Sequence, residues 1–286
     1  MKIILIDSAS LFFRSIFNWE RQVLDAQKKA DDRFILPAHY TYMSMVLSSL
    51  KKIGVDKEDL IIVCEEGHSW RKNYLITYKS QRKTEREKHT LINWDSQFKK
   101  LNDLHKNLDE ATNWHFIRIA DGCEADDIIS TSCRFFPDNE IVIVSSDGDL
   151  KQLVFYKNVK YFSVNQKCKG SNGIFLEIKN PLKIIADKAR LGDKSDNILP
   201  LPTDTEEDQE LRYFLVNLLE LPDQIEKVIK EKLEHLPIKE LHLEKLNCFK
   251  NAQEKFLKIY DKDKVITFEY CQQLLNKRKN KKGEPK

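Results

Sequence analysis

A doubly wound, mostly parallel α/β sheet is predicted by two features of the sequence. Four short runs are apolar at nearly every position: KIILI (2–6), LIIVC (60–64), HFIRIA (115–120) and EIVIVSS (140–146). Strands that read this way are buried on both faces, which a parallel sheet between helical layers provides. The second feature is what separates the runs: YTYMSMVLSSLKKIG (40–54), FKKLNDLHKNL (98–108) and ADDIISTSCRFF (125–136) carry helical periodicity. Strand and helix therefore alternate along the chain.

From about residue 181 the strand signal fades. LRYFLVNLLEL (211–221) and PDQIEKVIKEKLEHL (222–236) read as helices, and the lysine-rich end has no apolar content. The expected organisation is an α/β domain over 1–180, a helical region over 181–276 and a basic, disordered tail over 277–286. With 286 residues and 41% hydrophobic content the chain can bury a core without staples. A formal charge of +3 leaves attraction to polyanions to local patches. Six cysteines form no CxxC pair, and no apolar run has the length of a bilayer-spanning helix. A soluble, cytoplasmic protein with reduced thiols is expected, with no membrane role. Eight glycines argue against a turn-rich all-β fold.

In an open α/β sheet the ligand sits at the carboxyl ends of the strands. Asp7 follows the first run, Glu65 the second, Glu124, Asp126 and Asp127 the third, and Asp147 and Asp149 the fourth. Singly, each reads as a turn residue or a helix cap. Collected at one sheet edge they read as a cation site, because three carboxylates within GCEADD exceed what a helix start needs and repel one another. Oxygen donors without histidine select Mg²⁺ or Mn²⁺. So many acids suit two cations about 3.5–4 Å apart, the arrangement used for in-line phosphodiester cleavage. The seven histidines form no spaced cluster and are given no role.

A basic counterpart lies at 69–94. Arg71, Lys72, Lys79, Arg82, Lys83, Arg86 and Lys88 alternate with Trp70, Tyr74, Tyr78 and Trp94. A charge run is ordinarily a solvated helix face, and Glu85 and Glu87 allow local ion pairs. The interleaved aromatics point instead to single-stranded nucleic acid, with bases stacked and phosphates held by cations. Tyr78 and Lys79 are the expected pair for this.

These residues resemble a known family, the 5′ nucleases that include flap endonucleases and the 5′ exonuclease domain of bacterial DNA polymerase I. IDSASLFFRS (6–15), WRKNYLITYKSQR (70–82), GCEADD (122–127), SSDGDLKQLV (145–154) and GDKSDNI (192–198) are similar to its ordered motifs, over roughly the first two thirds of the chain. WRKNY, SSDGDLKQL and YKNVKYFS are most similar to the tailed-phage ribonuclease H branch. The resemblance implies a PIN-like fold with a basic helical gateway, and a 5′-3′ exonuclease and flap endonuclease acting on RNA primers or DNA flaps. It implies that Asp7, Glu124, Asp126 and Asp147 hold one cation, with Asp127, Asp149, Asp193 and Asp196 serving a second. Lys79 and Arg82 would sit over the scissile phosphate with Lys188 nearby. The nucleic-acid-binding set is then Arg71, Lys72, Tyr78, Lys79, Arg82, Lys83 and Lys188. The implied partner is DNA or an RNA/DNA hybrid with a free 5′ end, bound by a monomer, with a single-strand-binding protein or a sliding clamp as candidate protein partners.

Two departures stand out. Where family members end the second strand in Asp this chain has Cys64, so Glu65, one residue on, is expected to serve. GDKSDNI is followed by LPLPTDTEEDQE (199–210) in place of a glycine-rich hairpin that grips duplex phosphates. Pro200 and Pro202 offer no N–H, and Asp204, Glu206, Glu207 and Asp208 repel phosphate. Two other functions compete: a non-catalytic nucleic-acid-binding relative with an incomplete site, and a Toprim-like phosphotransfer enzyme. The latter leaves Asp7, Asp193 and Asp196 unexplained.

Overall fold

The structure, a computed structural model, describes residues 1–31, 33–168, 171–200, 203–246 and 254–256. The expected tail at 277–286 lies outside them. Strands β1 (Lys2–Asp7), β2 (Leu60–Cys64), β3 (His115–Ile117), β4 (Glu140–Ser145), β5 (Val159–Cys168) and β6 (Ser171–Leu176) form one sheet in the order β3-β2-β1-β4-β5-β6. All neighbouring pairs are parallel except β5 with β6. The predicted doubly wound, mostly parallel α/β class is the one observed.

Period-two alternation assigns each strand residue to a face. Ile4, Ile6, Ile61, Val63, Val142 and Val144 point into one core. Helices α1 (Ser8–Lys29), α2 (Ala38–Ile53) and α4 (Trp94–Ala111) cover it, the short α3 (Gln81–Glu87) lying between α2 and α4 in the chain. Ile3, Leu5, Ile62, Cys64, Ile141 and Ile143 point into the opposite core, under α5 (Ala125–Phe135) and, after α6 (Leu182–Leu191) and α7 (Glu206–Val216), α8 (Asp223–Glu234). A third core joins Trp70 and Tyr78 to Ile185, Ile198, Leu215, Val216 and Leu221. The helices after residue 181 thus share apolar cores with the sheet layer and with segment 70–80.

Four elements differ from the reading of the sequence. The run at 115–120 is strand only to Ile117. The strands β5 and β6 carry too many polar residues to announce themselves, although Tyr161, Phe162 and Val164 are buried. The helix expected over 211–221 ends at Val216, because the Asn217 carboxamide accepts the Leu219 N–H at 3.0 Å and Gln152 Oε1 accepts the Leu218 N–H at 2.8 Å. A local side-chain turn and a tertiary bond there outcompete helical continuation.

Candidate active site

β1 and β4 lie side by side, yet the chain leaves them toward opposite ends of the sheet, which opens a crevice at their carboxyl ends. Asp7 closes β1 and caps α1, accepting the Ser10 N–H at 3.1 Å through one oxygen and the Ser145 hydroxyl at 2.6 Å through the other. Burial pushes its carboxyl up to about 7, with Asp147 and Glu66 adding to the rise. Burial, then Asp147 and Asp7, raise Asp126 well above the carboxylate range. Glu66 is raised by burial, with Lys79 opposing. These four carboxylates sense one another across the crevice, and a cation among them would relieve both burial and repulsion.

Asp149, Asp193 and Asp196 form a second acidic group, each offering an oxygen within 4.8 Å of the others. Lys188 is ion-paired to both Asp149 and Asp193. Burial and then Asp147 still push Asp149 up to about 6. Burial would also raise Asp193, but Lys188 and Ser195 outweigh it and hold the carboxyl low. Asp196 accepts Tyr78 Oη at 3.0 Å and Arg82 Nη2 at 2.8 Å. Loops 77–81 and 193–198 interlock: Lys79 N–H donates to Asp196 O at 2.9 Å, Asn197 Nδ2 to Thr77 O at 2.8 Å and Gln81 Nε2 to Ser195 O at 2.9 Å. Lys79 and Asn197 take left-handed backbone conformations to do this, with φ of 55° and 58°.

Glu124 joins the acids to the basic segment. Its carboxylate accepts Ser69 Oγ at 2.7 Å, Arg71 Nη1 at 2.8 Å and Tyr78 Oη at 2.9 Å, and pairs with Lys79. Burial alone would raise it; Lys79 and Arg71 instead hold it at about 2. All-oxygen donors without an inward-facing histidine fit a hard divalent cation.

Several expected residues are placed elsewhere. The Asp127 carboxylate is fully buried and structural, accepting the Glu124 N–H at 2.9 Å and pairing with Arg71 at 2.9 Å. Glu65 turns away from the cluster and pairs with His105. Parity explains this: Asp7 pairs with Cys64 across β1 and β2, so Cys64 faces the site and Glu65 faces the other layer. Glu66, back on the site side, accepts the Ala125 N–H at 3.3 Å. A shift of one residue puts the acid on the α4 face, and a shift of two returns it to the face of Cys64.

Arg71 and Tyr78 are corrected as nucleic-acid contacts. Both are only 2% exposed, Arg71 also donating to Leu215 O at 2.8 Å. Tyr78 offers no open face for a base, since it is packed in the third core with the Lys79 ammonium 4.9 Å from its ring centroid. Replacing Arg71 with Met leaves Asp127 buried without its cation and takes one of two cations from Glu124. It should cost roughly 3–5 kcal/mol in chemical denaturation, whereas Lys72→Ala should leave stability unchanged and weaken nucleic-acid binding. Equal stability of the two variants would refute the structural role of Arg71.

The exposed cations line a groove of about 540 Å³ between α3 and the start of α1 and α4. Lys72, Arg82, Lys83, Arg86 and Arg118 share it with Phe12, Phe13 and Phe98, and Lys79, Glu66 and Glu124 stand at its acidic end, where Glu65 also reaches the wall while paired with His105. Arg86 lies 5.1 Å from the Phe13 ring centroid and 5.5 Å from that of Phe98. These aromatics come from helices outside the basic segment, so spacing within that segment could not find them.

A family model described as 5′-3′ exonuclease, N-terminal resolvase-like domain, matches residues 2–179. The chain belongs to that family. Among curated relatives, ribonuclease H of Enterobacteria phage T4 is 33% identical over 153 residues, covering 52% of this chain and 47% of the relative. The 5′-3′ exonuclease of Mycoplasmopsis pulmonis is 32% identical over 165 residues, 56% of this chain and 51% of the relative. The chain thus matches about half the length of these relatives. The T5 D15 protein co-crystallised with metal ions superposes with a TM-score of 0.58 at 18% identity, over 82% of this chain and 99% of that one. The bacteriophage T5 D15 flap endonuclease, in a pseudo-enzyme-product complex with DNA and metal ions, gives 0.57 at 18% identity over the same shares. At that identity the likeness speaks to the fold.

Proposed function

We propose that the chain is a divalent-cation-dependent, structure-specific 5′ nuclease, cutting phosphodiesters near the 5′ ends of RNA primers or DNA flaps as a 5′-3′ exonuclease and flap endonuclease. The observation that carries this reading is the buried acidic crevice at the β1/β4 switch point, joined through Glu66 to a cation-lined groove. Membership of the exonuclease family supports it, as do the names of the relatives.

Asp7, Glu66, Asp126 and Asp147 would hold one Mg²⁺ or Mn²⁺, with Asp149, Asp193 and Asp196 holding a second and Glu124 between them. Bound there, such cations supply an activated water and stabilise the leaving oxygen. The chain's own residues do the rest. Lys79 and Arg82 present fixed positive charge at the groove's acidic end, where charge develops on the transferring phosphoryl group. Burial would lower the Lys79 pKa, but Tyr78, Glu124, Asp196 and Glu66 raise it well above the ordinary lysine value. Lys79 therefore acts as a permanent cation and not as a proton carrier. Lys72, Lys83, Arg86 and Arg118 hold the phosphates of an unpaired 5′ arm. The protein works as a monomer in the cytoplasm, with DNA or an RNA/DNA hybrid as substrate. Among the described residues no helix is long and apolar enough to cross a membrane.

Release of short 5′ products from an end-labelled flap, dependent on Mg²⁺ or Mn²⁺ and stopped by chelator, is the expected result. Tight flap binding with no cleavage in either cation would favour the non-catalytic relative.

Duplex is gripped poorly. The N-terminus of α7 is capped by its own Thr205 and Asp208, with Asp208 N–H donating to Thr205 Oγ1 at 3.2 Å and Thr205 N–H to Asp208 Oδ2 at 2.9 Å. Glu206 and Glu207 add charge, and Asp204 pairs with Arg212. Pro202 lies outside the described residues. A helix start so capped has fewer free N–H groups for phosphate, and the carboxylates of its first turn offset its positive potential. Flapped DNA should bind at least about tenfold tighter than blunt duplex of equal length. Its log affinity should fall with log salt by about two units more, because the arm engages roughly three more phosphates at ~0.7 unit each. Equal slopes for the two substrates would contradict this.

A further inference from the structure

We propose that His105 is a positioning residue for the acidic site, fixing Asp7 and Glu66 through the residues beside them; this rests on the cation-site reading above. His105 sits on α4 in the apolar stripe formed with Leu101, Leu104 and Leu108, and is 4% exposed. A buried histidine in such a stripe is most often only a satisfied core residue. What distinguishes this one is the identity of its partners.

Both ring nitrogens are engaged. Nδ1 faces the Glu65 carboxylate, while Nε2 lies 3.0 Å from Tyr42 Oη and 3.4 Å from Ser8 Oγ, which are themselves 3.2 Å apart. A carboxylate can only accept, which assigns a proton to Nδ1 and leaves Nε2 to accept from Tyr42, with Ser8 donating in turn to Tyr42. Every member of the chain is thereby satisfied. Ser8 follows Asp7 in sequence, and Glu65 precedes Glu66. Asp7 and Cys64 are register partners on adjacent strands. One imidazole therefore anchors the residue next to each of two acids, from the face of the sheet opposite to theirs. Strand parity turns that into positioning: while Glu65 is held toward α4, Glu66 is directed toward Asp126 and Asp7. If Glu65 is released, the 65–69 segment keeps its backbone bonds from Glu65 N–H to Ile117 O at 2.9 Å and from Gly67 N–H to Cys123 O at 3.0 Å, but loses the side-chain bond that holds it on the α4 side.

Groups hydrogen-bonded directly to a ligand contribute about 10–100-fold to metal affinity; His105 holds the neighbours of two ligands, so an effect at the lower end of that range is expected. The test uses the full chain with His105→Phe, which removes both polar contacts, His105→Gln, whose carboxamide can donate to Glu65 and accept from Tyr42, and Tyr42→Phe. Mn²⁺ affinity without substrate is read by calorimetry, the Mg²⁺ dependence of cleavage by single-turnover kinetics, flap binding in chelator by anisotropy, and folding by thermal melting. His105→Phe should weaken Mn²⁺ binding by about tenfold and raise the Mg²⁺ needed for half-maximal cleavage in proportion, with flap binding in chelator unchanged. His105→Gln should recover most of the loss, and Tyr42→Phe should lose less than His105→Phe. Lower melting temperatures with wild-type Mn²⁺ affinity would make His105 a core residue only and overturn the proposal. Should His105→Phe not fold, wild-type Mn²⁺ affinity in Glu65→Ala, which removes the same bond from its other end, overturns it equally. A wild type that binds no Mn²⁺ defeats the cation-site reading, and the proposal with it.

Discussion

Asp7→Asn should lower the cleavage rate by about three orders of magnitude or more while making the cation-free protein more stable. The first effect follows if Asp7 is a ligand that neutral carboxamide replaces poorly. The second follows from its surroundings. Asp7 is 3% exposed and faces Asp147 and Glu66, and burial with those charges pushes its carboxyl to about 7. A carboxyl raised above its unfolded value of 3.8 favours the folded state only while protonated. Below about pH 3 both states carry the proton and the raised carboxyl costs the wild type nothing. As pH climbs from about 3 toward 7 the unfolded state ionises first, so wild-type stability in chelator falls, and above 7 the loss is complete at a few kcal/mol.

Asn removes that loss and keeps the structure. Its side-chain oxygen can still cap α1 by accepting from Ser10 N–H, and its amide can donate to Ser145 Oγ. In chelator at pH 8 the variant should melt several degrees above wild type, the difference vanishing toward about pH 3. Saturating Mg²⁺ should reverse the order, since the cation stabilises only the protein that binds it. Wild-type cleavage in the variant, or a melting temperature in chelator no higher than wild type at pH 8, would remove Asp7 from the cation site.

How much of this could be read from residues alone depended on how local the determining contacts are. β1, β2 and β4 were legible because burial on both faces leaves an unbroken apolar run, and the acids at strand ends because an open sheet brings strand ends together. Glu65 was misplaced by counting along the chain without carrying the alternation of the strand past its end. The signal was present: Ile61 and Val63 face α4, so Glu65 does as well. His105 was hidden by its periodicity, which is that of a core leucine. Tyr78 and Arg71 were illegible for a different reason. The apolar wall that buries them is built from residues 185–221, more than 100 positions away, and no local pattern reports such a contact. Phe13 and Phe98 enter the groove through the packing of α1 against α4, which is equally non-local.

Lys79→Ala should slow cleavage at saturating substrate about 10²–10³-fold and weaken flap binding only a few-fold. The side chain is 12% exposed, so it offers little surface to an incoming phosphate in general. Its ammonium instead stands between Glu124, to which it is paired, and Asp196, 3.8 Å away, at the meeting of the two acidic groups. On the proposed function, a charge held there would act where the phosphoryl group passes and contribute chiefly when negative charge grows on it, which is a transition-state effect. The backbone supports this reading, because a lysine at φ 55° is held against its preference, at a cost on the order of 1 kcal/mol, by its N–H bond to Asp196 O. Ala keeps that strain, so any stability change in the variant reports the lost charge and not the relaxed backbone. Because the acids keep the ammonium protonated, the wild-type rate should show no alkaline decline attributable to Lys79, and Lys79→Arg should retain more activity than Lys79→Ala. Single-turnover rates and equilibrium binding, measured on the same flapped substrate, separate the two roles. A steep loss of binding with an unchanged saturated rate would make Lys79 an anchor for the strand and leave Arg82, 41% exposed and 2.8 Å from Asp196, as the charge nearest the chemistry.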